Sequence, residues 1–257
     1  MQPKDSKWGS LEFSDQKELR LEWEGFSIRL IRRDSDLLLV EKRGDETTGE
    51  LQEADPDKDF QRYAFEKPVT SIRVQPATPA RPLVIQPLHP LKLAPKATVD
   101  FYVSIPVDVQ LSTIIAKEAV PLECLRSEIL SDTWFGDQVS GVLCYAIKSR
   151  ARRECPSIDS EKTPRALCKI EIQNTSSEHL PCEKFCIRLE RCHLWRAAGT
   201  IWTSPIKIRY RGTDHLSTID YSDSAPEEAK NPIRITTAKE EPLSGVIRRT
   251  FAGLGGV

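Results

Sequence analysis

From Val99 to Leu111 every odd-numbered residue is apolar: Val99, Phe101, Val103, Ile105, Val107, Val109 and Leu111. A period of two places all seven side chains on one face of an extended chain, so this run is a long half-buried strand, or two strands bent at Pro106. Pro106 falls in the outward phase and interrupts the ladder without removing a core side chain.

The same alternation recurs along the chain. Leu19, Leu21 and Trp23 share a strand face, Gly25 allows a turn, and Phe26, Ile28 and Leu30 repeat the pattern. With Leu37 to Val40 as a third strand, the opening reads as a β-meander. Gly44 to Asp59 is acidic and lacks apolar periodicity, as a solvated loop does. After a strand from Val69 to Val74 come Pro76, Pro79, Pro82, Pro87, Pro90 and Pro95, which exclude helix and predict an extended connection or sheet edge. Gly141 to Ile147 is apolar on both parities and belongs in the centre of a sheet. Ala166, Cys168, Ile170 and Ile172 form another inward row, ended by the turn-forming Asn174-Thr175-Ser176-Ser177. Phe185, Ile187 and Leu189 continue it, with short strands around Thr200–Trp202, Ile206–Tyr210 and Leu216–Tyr221.

The tail is different. Leu243, Val246, Ile247, Thr250, Phe251 and Leu254 recur at offsets of three and four, which predicts a short amphipathic helix over 242–254. The expected fold is therefore mainly β: an antiparallel β-sandwich, with two β subdomains as one possible arrangement, closed by that helix. The expected organisation is residues 1–95 as an N-terminal meander with the acidic loop and proline-rich connection, 96–222 as a β-sandwich, and 223–257 as the tail.

Charge points to no partner, because the signed residues of the 257-residue chain nearly cancel to a net of −1. The run Lys148, Arg150, Arg152, Arg153 is too short to make a nucleic-acid stripe. Met1 to Leu11 holds no apolar core of a leader, and no stretch reaches the length of a membrane span, so a soluble cytoplasmic protein is expected. Seven cysteines leave one over under any full pairing, and their late clustering does not resemble a disulfide-stapled scaffold. They read as reduced thiols.

Three segments carry a likeness: Phe101-Tyr102-Val103-Ser104-Ile105-Pro106-Val107; Trp134-Phe135-Gly136 followed by Gly141-Val142-Leu143-Cys144; and Lys169-Ile170-Glu171-Ile172-Gln173-Asn174-Thr175. In these the chain resembles the prokaryotic family known as domain of unknown function 432. The resemblance covers the second half best. It implies an intracellular β-rich protein and carries no catalytic residue onto any position here.

Each candidate chemistry meets a physical objection. Cys182, Cys186, Cys192 and His193 lie within a dozen residues, but on one strand Cys182 and Cys186 would stand about 13 Å apart at about 3.3 Å per residue, too far to share an ion. The carboxylates of Asp55-Pro56-Asp57-Lys58-Asp59 with Glu66 echo a calcium loop, yet Phe60 stands where the turn wants glycine. No nucleophile elbow, phosphate loop or His-Glu-x-x-His is present, and His89, His179, His193 and His215 all read as surface or loop residues. Trp195, Trp202 and Tyr210 near Arg191, Arg196, Lys207, Arg209 and Arg211 suggest stacking on nucleic acid, but a strand with one packed and one solvated parity looks the same.

The reading favoured is a non-enzymatic macromolecular interaction module that binds a protein partner or a second copy of itself, with no cofactor, no metal and no nucleic acid. The alternative is a small-molecule or carbohydrate-binding domain, or an enzyme, with a cleft lined by Trp134, Phe135, Trp195 or Trp202 and carboxylates from loops.

Overall fold

The computed structural model describes residues 6–13, 17–44, 60–115, 118–136, 139, 141–212, 215–242, 245–248 and 250–251. The acidic stretch after Gly44 and the Asp55–Asp59 calcium echo lie outside them. Alternation becomes strands from the start: β1 (Gly9–Glu12), β2 (Glu18–Trp23), β3 (Phe26–Arg33), β4 (Asp36–Arg43), β5 (Gln61–Ala64) and β6 (Ser71–Ala77). The proline-rich stretch and the long alternating run supply β7 (Leu83–Pro87), β8 (Leu91–Leu93), β9 (Thr98–Pro106) and β10 (Asp108–Ile115). There follow β11 (Glu118–Leu125), β12 (Ser131–Phe135), β13 (Val142–Ser149), β14 (Arg165–Asn174), β15 (Leu180–Cys182) and β16 (Phe185–Ile187). The last are β17 (Leu194–Ala197), β18 (Thr200–Thr203), β19 (Ile206–Tyr210), β20 (Ser217–Tyr221), β21 (Ile233–Thr236) and β22 (Val246–Arg248).

By contacts the chain divides into two compact units, and it passes between them several times. One unit comprises Met1–Ala77, Pro106–Ile129 and Asp159–Pro164; the other comprises Thr78–Ile105, Leu130–Ile158 and Arg165–Val257.

The first unit holds two four-stranded antiparallel sheets, β2-β3-β4-β5 and β1-β6-β10-β11. The opening is the expected meander, with β5 added beside β4. Gly25, at φ +75°, makes the turn that sets Trp23 opposite Phe26. Phe26, Ile28 and Leu30 are almost wholly buried, each worth about 1.5–3 kcal/mol in burial. Ile72, Val74, Val109 and Leu111 are the corresponding buried residues of the other sheet. The two sheets are tied where Tyr63 on β5 donates to Glu123 on β11, and where the Trp8 and Trp23 rings meet at 5.2 Å.

In the second unit, β12-β13-β7-β16 form one sheet, β15-β8 a second, and β21-β17-β18-β14-β19-β20-β22 a third in which β9 also pairs with β14. Most ladders are antiparallel, as expected. Parallel ladders join β13 to β7, and β14 to both β18 and β19. Both β7 and β14 are flanked by partners and are apolar on their buried rows, as parallel pairing requires.

Several expectations change here. The run Val99–Leu111 is two strands that part at Pro106, and its apolar residues are all buried. The proline-rich stretch is more than a connection or edge: Leu83-Val84-Ile85-Gln86 is free of proline, and β7 lies between β13 and β16. Pro76 is tolerated within β6 because the pairing with β1 ends at Val74, which leaves its missing donor on an open side.

The predicted helix over 242–254 is not formed. Val246–Arg248 is a strand paired with Ser217–Ile219 of β20, and Phe251 makes a bridge to Phe185. A short helix must pay for its own nucleation, whereas the edge of β20 offers ready hydrogen-bond partners to the β-branched Val246 and Ile247. Among the described residues there is no α-helix, and no helix is long and apolar enough to cross a membrane.

Candidate functional site

Of the four aromatic candidates, Trp134 and Phe135 sit on β12, where successive side chains take opposite faces. Phe135 turns inward and packs with Val84, Cys144, Cys186 and the partly buried Val142. Trp134 turns outward and is 53% exposed; Leu143, directly opposite on β13, is 43% exposed. Directly opposed residues share a face, so these two make one apolar corner. The next pair on that face is Asp132 with Tyr145. Arg81 forms a 2.8 Å ion pair with Asp132 and lays its guanidinium 5.1 Å from the Tyr145 ring centre. A charged rim thus borders the apolar pair.

The turn that closes this hairpin depends on glycine. Gly136 has φ +116°, and a Cβ there would lie 2.8 Å from the Cα of Gly141. The segments that resemble the family, Trp134-Phe135-Gly136 and Gly141-Val142-Leu143-Cys144, are therefore the two arms of one hairpin with a tight crossing at its neck.

Trp195 and Trp202 face each other across β17 and β18, and Leu167 of β14 continues the row. With Tyr102 and Ala197 they form a cluster covered by Ile158, Ala225 and Ala229. Trp202 is buried, so this aromatic face is filled by the chain's own residues. The covering segment is clamped at Glu228, whose Oε1 accepts hydrogen bonds from Tyr102 Oη and Lys169 Nζ, each at 2.6 Å.

Electrostatics make this a clamp. Burial raises the Glu228 carboxyl, but the hydrogen bonds from Lys169 and Tyr102 outweigh it and leave Glu228 below the usual carboxylate range. The bond to Glu228 raises Lys169, and burial followed by the same bond pushes Tyr102 well above its ordinary value. All three are driven away from neutrality, where a general acid or base needs its pKa.

His193, read from the sequence as a surface or loop residue, is buried. Its Nδ1 accepts from the Ala238 N–H at 2.9 Å, so the ring proton lies on Nε2, which donates to Asp223 Oδ1 at 2.6 Å. Both ring nitrogens are occupied in holding the chain. Tyr210 is buried with Trp202, while Lys207 pairs with Glu171 and Arg191 with Glu240. The rings considered for stacking are thus mostly packed inward.

All seven cysteines are free thiols, with Cys124 and Cys155 exposed and the other five buried. Cys182 and Cys186 are not on one strand: β15 and β16 belong to different sheets, and a 3-10 turn at Leu189–Arg191 follows. Burial pushes the Cys182 and Cys168 thiols up to about 12. The structure instead brings Cys186 to Cys144, with their Sγ atoms 3.9 Å apart. Among the described residues no group of three or more His, Cys, Asp or Glu could hold a metal ion.

No curated protein and no solved structure matches this chain. A family match covers residues 7–254, both arms of the hairpin and the Lys169–Thr175 segment included, and on that extent the chain belongs to the protein family of unknown function DUF432.

Proposed function

We propose that this chain is a non-enzymatic interaction module that binds a protein surface, a second copy of itself included, through the Trp134–Leu143 corner. The observation that carries this reading is the large exposed area of a tryptophan on a strand, opposite an exposed leucine and bordered by the Arg81–Asp132 pair. Tryptophan bordered by a polar rim is the usual composition of a binding hot spot, where truncation costs about 2–4 kcal/mol. A cytoplasmic, reducing location accords with seven unlinked thiols.

The test compares the intact chain with Trp134→Ser/Leu143→Ser by native mass determination and by affinity capture from the source cell. The expected result is that the variant keeps its fold but loses a dimer, or one stoichiometric protein partner, with affinity weakened at least about thirtyfold. Unchanged assembly of the variant would sink the proposal. The small-molecule alternative draws on Trp134, Phe135, Trp195 or Trp202, and the face shared by the last two is already occupied by Ala225, Ala229 and Ile158. It predicts a ligand that displaces that cover, seen as a rise in Trp195 fluorescence protection on binding.

A further inference from the structure

Cys144 on β13 and Cys186 on β16 lie 42 positions apart in the chain, yet their Sγ atoms approach to 3.9 Å. Their surroundings are apolar: Val84, Phe135 and Val142. The two strands flank β7, where Cys186 stands opposite Val84. At 3.9 Å the sulfurs are not joined, since a disulfide bond is about 2.05 Å long. A metal ion has a longer reach, because bonds of about 2.3 Å let one ion touch two sulfurs up to about 4.6 Å apart.

We propose that Cys144 and Cys186 form a two-coordinate thiolate site for Cu(I). Zinc wants four ligands, or three and a water, and the described residues offer no third side chain to this pair. Cu(I) is soft, favours thiolate over nitrogen and oxygen donors, and is satisfied by two of them. On binding, both thiols give up their protons and two sulfur–copper bonds form, with no change in oxidation state. The resulting group carries one negative charge, and Arg188 supplies a positive field at both sulfurs against the smaller opposing effect of Glu190. The apolar shell limits access of water to the ion.

The experiment is an anaerobic titration of the reduced full chain with Cu(I) in competition with bicinchoninate, together with copper X-ray absorption of the loaded, unsubstituted protein. One equivalent of copper retained against the chelator, at least tenfold less retained by Cys144→Ala and by Cys186→Ala, no change in Cys182→Ala, and a shell of two sulfurs are the expected results. Retention unaffected by either substitution, or a shell dominated by nitrogen and oxygen, would overturn the site. The absorption measurement needs no variant, so it decides the matter even where a substitution unfolds the chain.

Discussion

Asn174 is wholly buried, and its side chain is fully used: the amide donates to the carbonyls of Leu93, Ala94 and Glu178, while Oδ1 accepts from the backbone and hydroxyl of Ser176. The turn it opens was legible from a run of short polar residues; its bonds to Leu93 and Ala94 were not, since they join positions some eighty residues apart. Glu228 was equally hidden, because nothing local marks a loop carboxylate that meets Lys169 and Tyr102. With its folded value held low, the Glu228 contribution is full above 4.5, the ordinary glutamate value, and is lost as pH falls through the lower folded value. Glu228→Gln should therefore cost about 1–2 kcal/mol at pH 7, where the charged hydrogen bonds are intact. The variant should also lose less stability than the parent on acidification to about pH 3. Urea unfolding of both proteins at the two pH values checks this, and an equal loss would mean that the clamp contributes nothing.

Strands were the most legible elements, because a period of two needs only a handful of residues to declare itself. Ile206–Tyr210 and the three-strand opening meander emerge as read, and the run from Val99 divides at its proline. Two elements were misread for one reason: their partners are distant. The tail carries three- and four-residue spacings that suit a helix, but the edge of β20 turns it into β22. Prolines concealed β7, whose neighbours β13 and β16 come much later in the chain. At the β12–β13 hairpin, Gly136→Ala would place a Cβ against Gly141 and force an L side chain to positive φ. The expected cost is about 2 kcal/mol or more in chemical denaturation, with weaker partner binding because Trp134 stands next to the turn. A variant as stable as the parent would show that the neck can open without loss.

At the level of the whole molecule, the two units are each assembled from separated segments. A chain stopped after Ala77 contains most of the first unit by length but lacks β10, the strand that pairs with β6 along Asp108–Thr113. That fragment should show no cooperative unfolding by circular dichroism, whereas a sharp transition would mean that the meander sheet is self-sufficient. The seven thiols illustrate the same separation. Their number and the lack of a zinc spacing could be read directly, but the meeting of Cys144 with Cys186 required two strands to settle on either side of a third. Alternation of side chains along an extended backbone is a local property, so the sequence by itself determined that this protein is built of strands and which parity each one buries. Which strands pair, whether in parallel, and which loop carboxylate or thiol meets which partner were decided only by the tertiary structure, because those contacts join residues that no local period relates.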